Sequence, residues 1–347
     1  MKQTLRPSVP FAAAGFALAT LVAGCTGQSG SEIPNGHTAG GTSRVAAQIP
    51  LAKFKSVEYT QGITPNSNPR GITPGFAQWL WFTQPGSNQI GHINARGLVS
   101  EFTAATNGVN NIVTGPDGNI WFTESGADVI GRMTPRGKIK IFRVGNEAYG
   151  PFDICNGADG NLWFTFRSPS ANAIGRITTS GAVTLFTNGL SPGDIAVHDI
   201  TEGSDGNVWF TEEFNNRVGS ITPSGTIAEY TNGITSNAGL VDISDGPDGN
   251  VWFTENAVNK IGRITPGGTV TEFSGFSPQA GPGAITLADG SLWVTEAGYS
   301  KVASVSTSGA VTEYAIPVAL ASDIAQGPNG TLWITDYSGN GVVKATP

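Results

Sequence analysis

Residues 241–274 read Val-Asp-Ile-Ser-Asp-Gly-Pro-Asp-Gly-Asn-Val-Trp-Phe-Thr-Glu-Asn-Ala-Val-Asn-Lys-Ile-Gly-Arg-Ile-Thr-Pro-Gly-Gly-Thr-Val-Thr-Glu-Phe-Ser. Short runs of β-branched and aromatic residues alternate with turn signals, and each run is too short for a helix. The pattern predicts strand a over 241–244, a turn at Gly-Pro-Asp-Gly-Asn, and strand b over 251–255. Strand c follows over 260–265, and Pro-Gly-Gly turns the chain into strand d over 269–273.

The unit repeats. Trp81, Trp121, Trp163, Trp209, Trp252, Trp293 and Trp333 lie 40, 42, 46, 43, 41 and 40 residues apart, and Trp79 alone stands outside the series. Four short antiparallel strands in a repeat of about forty residues make one propeller blade. The last repeat has strands a to c and then the chain ends at Pro347, so its fourth strand is missing. Ser56-Val57-Glu58-Tyr59-Thr60 reads like the d strands Ala228-Glu229-Tyr230-Thr231 and Thr312-Glu313-Tyr314-Ala315, yet precedes the first strand a. The expectation is an all-β, seven-bladed β-propeller of four-stranded antiparallel blades over 49–347, closed by an N-terminal strand that completes the last blade and leaves no free sheet edge. The blade Trp, Phe and Ile residues are expected to form the core between blades.

The N-terminus carries other signals. Lys2 and Arg6 precede an apolar run from Phe11 to Val22, too short to span a bilayer as a helix. The run ends at Leu21-Val22-Ala23-Gly24-Cys25, which resembles a bacterial lipobox. Residues 1–24 are therefore expected to be a lipoprotein-type signal, Cys25 the lipidated membrane anchor, and 25–48, rich in Gly, Ser and Thr, a flexible tether. The expected location is the bacterial cell envelope. With Cys25 lipidated, Cys155 has no disulfide partner. The net charge of −7 becomes −9 once Lys2 and Arg6 are removed, and an acidic surface repels phosphate backbones, so nucleic acid is excluded as a partner.

Trp-Phe-Thr-Glu at 121–124, 209–212 and 252–255, with Ile-Gly-Arg-Ile-Thr at 174–178 and 261–265, resembles the repeats of the streptogramin B lyase (virginiamycin B lyase) family over about 56–347. The resemblance implies elimination that opens the lactone of a cyclic depsipeptide, with Mg²⁺ polarising the ester and a His moving the proton. In that family the working residues lie at the start of strand a and at the Glu ending strand b. Hairpin geometry puts these two positions on one rim. Blade by blade, the first slot holds Arg70, Asn110, Phe152, His198, Val241, Gly283 and Ser322, so one slot is His, and the family's Glu-Pro-His becomes Ala196-Val197-His198.

Carried onto this chain, the resemblance makes His198 the candidate catalytic residue, Glu212 and Glu255 candidate Mg²⁺ ligands, and Arg70 and Asn110 candidate contacts to a small cyclic or peptide-like ligand. The ends of strand b form the series Gln84, Glu124, Phe166, Glu212, Glu255, Glu296 and Asp336. Its carboxylates either share a divalent cation or pair with loop donors and with Arg132, Arg176 or Arg263. His92, in the Arg slot of strand c in blade 1, reads as a surface strand residue. The alternative to a lyase is a non-catalytic propeller that binds an envelope protein, glycan or peptide.

Overall fold

The computed structural model describes residues 52–53, 55–104, 106–145, 150–167, 173–192 and 196–347. The expected signal, tether and Cys25 lie outside them. One compact unit spans Pro50–Pro347. Within it, seven antiparallel sheets follow one another in chain order. Blade 4 is representative, with strands Val197–Glu202, Val208–Glu212, Arg217–Ile221 and Ile227–Tyr230.

Closure follows the predicted route. Lys55–Tyr59 pairs antiparallel with Gly341–Thr346 and completes blade 7. Tyr59 stacks on Trp333 with ring centres 5.9 Å apart. One contact was not anticipated: Ala52–Lys53 adds a short parallel strand to the outer edge of blade 6, beside Tyr314 and Ala315. The N-terminal segment thus ties two neighbouring blades.

Packing between blades explains why each repeat carries its Trp, Phe and Ile. Trp209 of blade 4 packs against Leu240, Ile243 and Phe253 of blade 5, and Trp333 of blade 7 against Ile72, Leu80 and Phe82 of blade 1. Inside blades 1 to 5 the Phe of strand b lies on the Gly of strand c, whereas blades 6 and 7 pair Val294 with Ala303 and Ile334 with Val343. A Cβ on Gly262 would sit 2.1 Å from the Phe253 ring, so only glycine fits there.

The turn between strands a and b does more than reverse the chain. In blades 2 to 5 its Asp (Asp117, Asp159, Asp205, Asp248) accepts the indole N–H of the Trp four residues on, at 2.9, 3.2, 3.2 and 3.0 Å. Arg132, Arg176 and Arg263 of strand c lie over that Trp and reach the same Asp at 3.5, 3.4 and 3.4 Å. These arginines serve the turn aspartates, not the glutamates that end strand b.

Candidate functional site

A bulge builds the rim. In blades 2 to 7 the register between strands a and b shifts just after the first residue of strand a, as between Val197 and Ile200. A buried Thr of strand b fills the gap. Thr165 accepts the Asp153 N–H at 3.0 Å and donates to the His198 carbonyl of the next blade at 3.4 Å. Thr83, Thr123, Thr211 and Thr335 donate in the same way to the carbonyls of Asn110, Phe152, Val241 and Arg70. These five rim slots are therefore equivalent positions, anchored by backbone while the side chain is free to differ.

Four of these side chains and one neighbour meet. The His198 ring stands edge-on to Phe152 at 5.0 Å. The Arg70 and Arg167 guanidiniums lie 4.9 and 5.0 Å from the centre of the same Phe152 ring. Asn110, buried, donates its amide to the Phe152 carbonyl at 2.6 Å and so fixes the backbone under the ring. Arg167 is paired with Glu213 at 3.0 Å; no carboxylate lies within ion-pair distance of Arg70 among the described residues.

Charge follows from this crowding. Burial, then the guanidiniums of Arg167 and Arg70, push the His198 imidazole down to about 3, against a hydrogen bond to the Val241 carbonyl that favours its protonated form. The ring is neutral at physiological pH, with Nδ1 buried and unpaired. Burial and then Arg167 bring the Arg70 guanidinium down to about 10. A base near 3 accepts a proton poorly at neutral pH, since general catalysis works best with a pKa near the working pH. Two guanidiniums beside an aromatic face can receive an anion, while the unprotonated Nδ1 of His198 can only accept a hydrogen bond.

Glu212 and Glu255 are elsewhere. Glu212 is in register with Val197, and no hydrogen bond or ion pair joins it to His198 among the described residues. Both glutamates are fully buried and face strand d of their own blade. Burial, followed by the Glu229 carboxylate, raises Glu212 to about 8, and burial, followed by Glu272, raises Glu255 to about 8. Glu296 beside Glu313 rises to about 7 for the same reasons. The strand d partners Glu229, Glu272 and Glu313 are held by Arg217, Lys260 and Lys301 at 3.0, 2.6 and 2.9 Å. At neutral pH Glu212 and Glu255 therefore hold a proton beside the strand d carboxylate of their own blade. The series at the end of strand b therefore does not converge on a shared point.

The Mg²⁺ donor set fails on the same observation. Each candidate ligand faces a carboxylate and a cation of its own blade, and no three His, Cys, Asp or Glu side chains among the described residues are grouped to hold a metal.

One feature of the centre was missed in the sequence, although its signal was there. The residue after each rim slot is Asn111, Asp153, Asp199, Asp242 or Asp323 in five blades, and these line a central cavity of 290 Å³. They act as latches. Asp153, Asp199 and Asp323 accept the N–H groups of Ile200, Ile243 and Ile72 in the next blade at 3.0, 2.8 and 2.9 Å. Burial, then the Asp199 charge, raises Asp242 well above the usual carboxylate range, so Asp242 carries the proton it shares with Asp199.

Comparison with known proteins then settles the lineage. The profile of the virginiamycin B lyase family matches residues 51–237 and 231–347. The chain belongs to the virginiamycin B lyase family. Among solved structures, a streptogramin B lyase is 32% identical over 84% of this chain and 97% of its own, with a TM-score of 0.79. Virginiamycin B lyase from Staphylococcus aureus is 36% identical over 85% of this chain and 99% of its own, with a TM-score of 0.77. A catalytically inactive His-to-Ala variant of the S. aureus enzyme, solved with quinupristin, gives the same identity and TM-score over its whole length. None of the curated protein sequences matches.

Proposed function

We propose that this member of the virginiamycin B lyase family is an envelope-anchored binding propeller that takes a small cyclic or peptide-like ligand presenting a carboxylate. The observation that carries the reading is the pair of guanidiniums on Phe152, one of them without a carboxylate partner. A ligand carboxylate accepting from Arg70 supplies the missing counter-charge, Phe152 offers an apolar surface, and His198 Nδ1 accepts a ligand N–H. Anchoring through Cys25 follows from the lipobox resemblance. The test is titration of the protein with a group B streptogramin already opened at its ester, which bears a free carboxylate. Saturable binding that is lost in Arg70→Ala supports the reading; binding indifferent to Arg70 removes it.

Elimination is the second reading, favoured by identities of 32–36% to lyases. It assigns proton movement to His198, with Mg²⁺ at Glu212 or Glu255. The depressed imidazole and the separated carboxyl pairs weigh against it.

A further inference from the structure

The turn between strands a and b of blade 1 departs from the repeat at four consecutive positions. Where blade 2 has Pro116-Asp117-Gly118-Asn119, blade 1 has Phe76-Ala77-Gln78-Trp79. A fifth position changes with them: strand c carries His92 in place of Arg132. The Asp that receives the indole N–H and the Arg that covers the indole are both gone. In their place His92 stacks on Trp79 at 4.3 Å and packs against Trp81 at 4.6 Å. The half-buried imidazole thus packs against two indoles, and burial holds its pKa below the usual value.

The backbone bears a cost for this exchange. Gln78, with φ of 66°, occupies the left-handed position that glycine fills in every other blade, from Gly118 to Gly330, and Ala77 beside it has φ of 53°. A side chain in that region costs about 1 kcal/mol per residue, which Asp-Gly-Asn turns elsewhere in the ring largely avoid. The strained turn faces a second altered turn. In blade 7, Asn329 stands where blades 2 to 6 have Asp, and Trp333 donates its indole N–H to Thr331 instead. Between the two turns lies a cleft of 420 Å³ lined by Pro74, Gln78, Trp79, Gln326, Pro328 and Asn329 with two glycines. Its size falls within the range of roughly 300–1,000 Å³ found for small-ligand sites.

We infer that this cleft at the seam of blades 7 and 1 binds a neutral carbohydrate, with a sugar ring laid against Trp79 and its hydroxyls bonded by the amides of Gln78, Gln326 and Asn329. The lining decides the chemistry. It contains no ionisable side chain, so an ionic ligand would lose hydration without gaining a counter-charge. A wholly apolar ligand would strand the amides. Each amide both donates and accepts, as each hydroxyl does, and an indole matches the C–H face of a pyranose. The site is separate from the rim cluster and does not depend on the ligand proposed there.

The test is titration of the full chain with cellobiose, maltose and N,N′-diacetylchitobiose, read by tryptophan fluorescence and saturation-transfer NMR. At least one is expected to saturate with a dissociation constant near about 1 mM, the weak range natural to a shallow polar site. Trp79→Ala weakens it by about tenfold or more at unchanged Tm. A second variant restores the blade 2 turn through Phe76→Pro, Ala77→Asp, Gln78→Gly, Trp79→Asn and His92→Arg; it folds with equal or higher Tm and binds none of the three. No saturation with any of them, or equal affinity in Trp79→Ala or in the restored turn, overturns the inference.

Discussion

The Gln84 amide donates to the Glu101 carboxylate at 2.8 Å. In blades 4, 5 and 6 the residue in the place of Gln84 is Glu212, Glu255 or Glu296, each facing the strand d glutamate of its own blade. Gln84 is therefore an uncharged analogue, built into the chain, of the protonated carboxyl that the other three blades require.

A pH dependence follows, with a definite sign. Glu212 and Glu255 titrate near 8 when folded and near 4.5 when unfolded. Their stabilising contribution is complete below about 4.5 and is lost as pH rises toward 8. His198 and His92 act oppositely: their lowered pKa values remove stability as pH falls below 6.5, but they are two groups against several. Tm is expected to fall between pH 5 and pH 8. Glu255→Gln, which copies blade 1, should flatten that slope and raise stability at pH 8 by roughly 1–3 kcal/mol. Thermal unfolding at both pH values checks this; a lower Tm for Glu255→Gln at pH 8 contradicts it.

His198 is expected to show no imidazole titration between pH 5 and 8 by NMR, because burial and two guanidiniums hold it near 3. Replacing Arg167 and Arg70 with Gln should move its midpoint upward toward 6.5, the direction set by removing like charge.

At the rim, Arg70→Ala should weaken binding of the ring-opened streptogramin carboxylate by about 10- to 100-fold, the value of a charge-assisted hydrogen bond. Arg70→Lys should recover only part of that, since a point charge replaces a planar fork. Calorimetric titration distinguishes the three.

Closure gives a stability prediction. Asp323 of blade 7 accepts the Ile72 N–H of blade 1 at 2.9 Å. Asp323→Ala leaves that buried N–H unpaired and should lower stability by roughly 1–3 kcal/mol. Hydrogen exchange of the Ile72 amide should rise far more than that of Ile243, whose acceptor is Asp199.

Blade number, strand order and closure were legible because alternation, turn residues and a tryptophan period are local signals, the tryptophan recurring seven times from Trp81 to Trp333. The rim slots were legible too, since the start of strand a and the end of strand b share one end of a hairpin and the family resemblance singled them out. Side-chain direction was not. His198 and Glu212 sit near one another along the hairpin, but the bulge after Val197 pairs Glu212 with Val197 and sends His198 to Phe152. Where the end-of-b glutamates turn depends on strand d of their own blade, seventeen residues on from Glu212 and Glu255 to Glu229 and Glu272. That dependence is a spacing no motif records. The aspartates after the rim slots were visible as a repeated column and were passed over because the adjoining slot drew the comparison.

The most direct test of a binding propeller without lyase chemistry is mass spectrometry of an intact group B streptogramin incubated with the protein, with Mg²⁺ and with chelator. The account predicts that the cyclic antibiotic survives unchanged under both conditions. A linear product of unchanged mass that forms only with Mg²⁺ would contradict it and make His198 a working acid or base.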